Sequence, residues 1–385
     1  MLFSLAQQTP LCKVFKVLND ELLFFLKKSI TAESFDDNLF GTFPHDGEEK
    51  RSACWSNAPT REKFETLWNN LPEGQFERAA LYRKVSNAQN IHHFFDNTST
   101  ILPTLVNEQL FDAFKSLTTH LFTKTKDIAA TKQQAGESIE QHFQSFFRAN
   151  NNSMLCSLCG TSQLSQNRND ISDDEQWRAD YDHILCKDKY PIYSVHPGNF
   201  IPTCHICNSK AKGARDLLHN RSSQRRIAFY PLPPSQDHCY QYTRMQLQFS
   251  HQDEVSPDEF EEPLLSVSVI FENEPVDIAQ KVEVWKDVYQ VPSRVEAHIK
   301  SNFFVRIPAD LRYRENDFDD FIQQLRRYSG GLPIDYQKSE WRIWWHRVYE
   351  YLSHQDREYL MWIWSLLNWK ERQISQVDMR AEFGY

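Results

Sequence analysis

What this 385-residue chain lacks narrows it first. No stretch approaches the roughly 18 to 20 uninterrupted apolar residues of a membrane helix, the longest candidates being residues 22–26 and 264–271. The opening MLFSLAQQTPLCK has no basic region followed by a long apolar stretch, so no secretory leader is expected. The chain is therefore expected to be soluble and cytoplasmic, and its eight cysteines need an explanation other than disulfides. Positive charge is not in excess: 43 Lys and Arg face 52 Asp and Glu, a formal charge of −9, which argues against a surface coated in nucleic acid and confines any such contact to a local patch. Glycine is scarce, at 10 residues, and there is no internal repeat or long low-complexity run. What is there, 40% hydrophobic and 25% charged residues, is ordinary globular composition. The length suggests about two or three folded units.

Helical periodicity dominates residues 1–150. Val14, Val17, Leu18, Leu22, Phe25 and Leu26 recur at three- and four-residue steps, as do Phe111, Phe114, Leu117, Leu121 and Phe122. Residues 36–62, with Gly41, Pro44, Gly47 and Pro59 among mixed charges, read as a surface loop or an interrupted helix array. A last helix from Ser138 to about Arg148 collects Ile139, Phe143, Phe146 and Phe147 on one side. Residues 151–230 change character, with clustered Cys, His, Asn and Pro. In residues 231–385, the segments 244–249 and 264–271 read as pairing strands joined by an acidic loop. Helical pattern then returns, and six of the ten tryptophans fall between Trp341 and Trp369. Trp341, Trp344, Trp345, Val348 and Leu352 follow helical spacing, and Ser353 with Asp356 reads as a capping box opening a second helix. The fold class is α+β: a helical N-terminal domain, a central chemical segment, and a mixed, mainly helical C-terminal domain.

Two C-x2-C knuckles, Cys156 with Cys159 and Cys204 with Cys207, are separated by 44 residues. That spacing lets both thiolates of each knuckle reach one Zn²⁺, and two knuckles complete a tetrahedral four-sulfur shell with no open position, hence a structural ion. Cys12, Cys54, Cys186 and Cys239 have no partner spacing and read as simple thiols. Between the knuckles, Asp182 and His183 end an apolar stretch, Asn199 follows 16 residues after His183, and Asn208 directly follows Cys207. Strand neighbours point to opposite faces, so Asp182 and His183 share a target only if the strand end is irregular. A zinc tying the start of a helix near Cys207 to the first knuckle would bring Asn208 towards Asp182.

At these residues the chain resembles the HNH, or ββα-metal, endonucleases, most closely the four-cysteine zinc subgroup that includes phage endonuclease VII. The run DHILCKDKYPIYSVHPGNFIPTCHICNSKAKG is also similar to HNH proteins of prokaryotic defence loci. The resemblance covers residues 155 to about 220. It implies a zinc-stapled ββα core with His183 as general base, Asp182 and Asn208 as holders of a catalytic Mg²⁺ or Mn²⁺, and Asn199 as a brace between the loop and the His strand. Cys186 stands where a proline is usual, and Asn208 where the last His is usual, as in the endonuclease VII subgroup. The residue types suit the chemistry independently: an imidazole near pKa 6.5 can take a proton from water at neutral pH, and a carboxylate with an amide oxygen suits a hard divalent ion better than Zn²⁺.

Lys210, Lys212, Arg215, Arg221, Arg225 and Arg226 follow with only Asp216 against them, the most basic short stretch of the chain. Lys210, Lys212 and Arg215 are the expected phosphate contacts. Residues 251–290 carry eleven acids and two lysines and should repel DNA. The leading expectation is a cytoplasmic HNH endonuclease that hydrolyses phosphodiester bonds, with DNA as the first substrate to consider. A partner such as a defence ATPase is implied by the resemblance alone. The alternative is a non-catalytic zinc-dependent adaptor for nucleic acid or protein.

Overall fold

The computed structural model describes the chain except residues 106, 165–167, 169–170, 172–174, 176, 251–263, 315–316, 332–335 and 384–385. The N-terminal segment is helical: α1 (Lys13–Lys28), α2 (Ala53–Ser56), α3 (Ala58–Trp68), α4 (Gln75–Ser86), α5 (His93–Asp96), α6 (Glu108–Thr123), α7 (Ala129–Ala135) and α8 (Ile139–Ala149). α1 buries Val14, Leu18, Leu22, Phe25 and Leu26 of the expected stripe together with Phe15, Val17 being half-buried, and its last turn carries Lys27 and Lys28 beside the negative end of the helix dipole. α8 opens on a capping box in which Ser138 and Gln141 bond reciprocally to each other's backbone N–H.

Residues 36–62, expected as a surface loop or an interrupted helix array, hold α2 and the start of α3, and before them a hairpin that was not expected. Thr42–His45 (β1) and Glu48–Arg51 (β2) form an antiparallel hairpin whose two-residue turn, Asp46 and Gly47, has φ of 52° and 81°. Asp-Gly is a strong signal for this turn because both positions need positive φ. The short, charged strands around it mask that signal.

The central segment supplies β3 (Tyr181–His183) and β4 (Phe200–Pro202), paired antiparallel with Asp182 opposite Ile201 and His183 opposite Phe200, and then a π-helix, Ile206–Lys212. The C-terminal segment begins with β5 (Thr243–Phe249) and β6 (Leu265–Phe271), antiparallel over their whole length as expected. The acidic loop between them lies largely outside the described residues. Helices α9 (Val276–Tyr289), α10 (Val291–Leu311), α11 (Phe318–Ser329), α12 (Arg342–Ser353) and α13 (Arg357–Phe383) complete the chain. α10 packs on β6 and α12 on β5. The expected helical hairpin is α12 and α13, but the cap differs: the Asp356 carboxylate accepts from Tyr359 N at 2.8 Å, while the Ser353 hydroxyl donates back to the Glu350 carbonyl at the end of α12. One contiguous buried core runs through all three segments. No described helix is long and apolar enough to cross a membrane.

Candidate functional site

The four knuckle cysteines come together. Cys156, Cys159, Cys204 and Cys207 are buried with all their ligand atoms within 4.8 Å of one another, and Cys159 Sγ lies 3.8 Å from Cys204 Sγ. A tetrahedron with Zn–S bonds of about 2.3 Å has an edge of about 3.8 Å, so a metal such as zinc fits this set. The first knuckle turns tightly, with Gly160 N donating to the Cys156 carbonyl at 2.9 Å. Gly160 has a φ of 65°, and a Cβ there would sit 2.8 Å from Leu2 Cδ2, so both backbone and space require glycine. Outer contacts lower the sulfur charge. Thr161 donates to Cys159 Sγ from its N (3.4 Å) and its Oγ1 (3.2 Å), and Arg294 Nη2 lies 3.2 Å from Cys207 Sγ. The indoles of Trp344 and Trp285 donate to the Cys159 and Leu158 carbonyls at 2.9 and 2.8 Å. Spacing could not reveal Arg294, Trp285 or Trp344, which lie far along the chain from the knuckles they contact.

Asp182 and His183 sit side by side on β3 and face apart, as strand geometry dictates. The His183 ring packs between Phe122 of α6 (centroids 4.4 Å apart) and Phe200 of β4 (4.8 Å). Its Nε2 donates to the Ser194 carbonyl at 3.2 Å, which leaves Nδ1 as the nitrogen able to take a proton. Burial, with the Lys187 and Lys212 ammonium groups nearby, pushes its pKa down to about 3. Asn199 is fully buried: its Oδ1 accepts from Leu185 N (2.6 Å) and its Nδ2 donates to the carbonyls of Leu185 (3.1 Å) and Tyr193 (2.9 Å). It pins both ends of the loop between the strands.

The basic stretch departs from expectation. Lys212, expected as a phosphate contact, does not face solvent. It is 2% exposed, and its Nζ donates to Asp182 Oδ1 at 2.8 Å and to the His183 carbonyl at 2.6 Å. Asn208, expected to share an ion with Asp182, sits in the wide π-helical turn, where its N–H donates to the Cys204 carbonyl (3.0 Å) and its carbonyl accepts from Gly213 N (2.8 Å). With an ammonium on Asp182 Oδ1, the residues as arranged do not fit a divalent ion. Burial raises the Asp182 carboxyl pKa, and Lys212 pulls it back. The rest of the basic stretch is also partly engaged: Arg215 bonds the Asp287 carbonyl, Arg226 pairs with the Asp287 carboxylate, and Arg225 bonds the carbonyls of Phe94 and Asn97. Lys210 and Arg221 are exposed. His205 is also exposed, whereas His196 is buried with Nδ1 accepting from Gly198 N. Cys12, Cys54, Cys186 and Cys239 are buried, unpaired thiols.

No family model matches the chain, and no curated protein or solved structure is significantly similar to it.

Proposed function

We propose that this chain is an HNH-type endonuclease of the reducing cytoplasm, stapled by a structural zinc and acting on the phosphodiester backbone of nucleic acid, with DNA as the first substrate to test. The observation that carries this reading is the set Asp182, His183 and Asn199 on one braced hairpin, joined through the four-cysteine cluster to the turn that bears Asn208. A closed four-thiolate shell offers no position for substrate, so zinc there would hold the fold. Within the hairpin, the Ser194 carbonyl fixes the His183 tautomer and Asn199 fixes the loop that carries Ser194. His183 Nδ1, neutral at pH 7, would accept the proton of an attacking water, as a weaker base than the ordinary imidazole expected from the sequence because burial lowers its pKa. Asp182 faces the other side of β3, where its charge is paired with Lys212. Lys210, the exposed lysine of the basic stretch next to the site, is the remaining candidate for phosphate contact, with Arg215 secondary to its bond with Asp287.

Purified protein incubated with supercoiled plasmid, with and without Mg²⁺ or Mn²⁺, tests the reading. Nicking or linearisation that falls about 10² to 10⁴-fold in zinc-replete His183→Ala supports it. Equal cutting by parent and variant would remove His183 from the chemistry. A second reading, a zinc-dependent adaptor that does not cut, is favoured by one feature, the deep burial of Asp182 and His183. Nucleic-acid binding without cleavage under every metal condition would select it. A defence ATPase as activating partner rests on the resemblance, and co-purification with cleavage activity would support it.

A further inference from the structure

The cation in contact with Asp182 belongs to the chain itself. Lys212 ends the π-helix, and the chain then reverses at Gly213, whose φ of 48° and ψ of −123° suit only glycine. This reversal turns the Lys212 side chain inward, where it is 1% exposed against 3% for Asp182. The pair is incompletely satisfied. Asp182 Oδ2 is buried with no hydrogen-bond partner, and the ammonium, with three protons to give, donates to Asp182 Oδ1 and the His183 carbonyl. A buried ion pair with an orphaned oxygen gains little from its own attraction, because removing both charges from water offsets it. The oxygens that Nζ meets, Asp182 Oδ1 and the His183 carbonyl, and the unpartnered Oδ2 of the same carboxylate are the donor type that hard divalent ions select. Two cations cannot share that space.

We infer that Lys212 is a latch on this site: its ammonium and a divalent cation compete for Asp182, and the site takes up an ion only when Lys212 withdraws. The inference rests on the nuclease reading for its biological use, but the competition itself is a property of Asp182 and Lys212. It also explains why a basic residue next to the reactive pair points away from solvent. The flexible lysine stem and the glycine behind it give a route for withdrawal without breaking the hairpin, which is held separately by Asn199 and the cysteine cluster.

Mn²⁺ binding to the full zinc-loaded chain, followed by paramagnetic resonance, tests the latch. Lys212→Met, which keeps length and removes charge, is expected to bind Mn²⁺ at least tenfold more tightly than the parent, Lys212→Arg to resemble the parent, and Lys212→Met with Asp182→Asn to lose the gain. A folded Lys212→Met with parental Mn²⁺ affinity overturns the inference. Should Lys212→Met not fold, the parent decides. Acetylation of Lys212 by a water-soluble amine reagent, read by peptide mass against exposed Lys210, should rise several-fold at saturating Mn²⁺. Constant protection of Lys212 at Mn²⁺ levels that support cutting overturns the latch and leaves the nuclease intact. Tighter Mn²⁺ binding by a Lys212→Met protein that never cuts plasmid does the reverse.

Discussion

Asp182 and Lys212 show how much a single side-chain direction matters. Removing one partner of a buried pair leaves an uncompensated charge, so Asp182→Leu or Lys212→Met alone is expected to cost about 3 to 5 kcal/mol, while the double change recovers most of it. Urea unfolding of the two single variants and the double variant completes the cycle. Asn199→Ala should cost at least about 2 kcal/mol, since it leaves buried loop groups of Leu185 and Tyr193 without partners. The four-cysteine cluster was legible in the chain because two C-x2-C knuckles are a specific spacing, and the same order singled out Asp182, His183, Asn199 and Asn208 as candidates. The inward turn of Lys212 was not legible, because a lysine four residues after Asn208 in a basic run has the same local signature as a solvated helix face. Only the π-helical widening and the reversal at Gly213 decide it.

At the scale of elements, the hairpin β3–β4 is just three residues per strand and cannot stand by itself. It is held by Phe15 of α1, stacked on Phe200 at 3.8 Å, by Phe122 of α6 against His183, and by the cysteine cluster. Cys204→Ser is therefore expected to lose bound metal and melt the hairpin together with the π-helix, read as zinc content by elemental analysis and as lost protection in amide exchange. A metal-replete, fully protected Cys204→Ser protein would refute the zinc assignment. Elements defined by long periodicity, such as α1, α8 and the α12–α13 pair, were legible from apolar spacing. The β1–β2 hairpin was not, because its strands are short, charged and bury little.

Across the whole molecule, buried histidines predict a pH response. His196 is 8% exposed and burial lowers its pKa to about 4; His142, hydrogen-bonded to Tyr181 and to the Pro10 carbonyl, is lowered as well by burial. The unfolded chain takes up protons near pH 6.5 while the folded protein does not until about pH 4, so stability should fall as pH drops through that window. For His196 the loss approaches about 1.4 kcal/mol per pH unit in the middle of it, and His142 adds to it in the same direction. Urea midpoints at pH 7.5, 6 and 5 measure this, and a flat profile would place these imidazoles in water. The overall acidity also sets where nucleic acid could approach. With Lys212 buried against Asp182 and Arg215, Arg225 and Arg226 bonded within the chain, Lys210→Ala should lower the salt dependence of binding by about one phosphate.

The Trp344 indole of α12 and the Trp285 indole of α9 end on carbonyls of the first cysteine knuckle. An indole released from a buried carbonyl into water emits at longer wavelength, so these two side chains make the knuckle optically visible. Stripping the metal from the folded chain with a strong chelator should red-shift and dim the tryptophan emission with the same time course as metal release. Trp344→Phe should remove a large share of that signal, so a stopped-flow fluorimeter could time the loss of the staple without any added label.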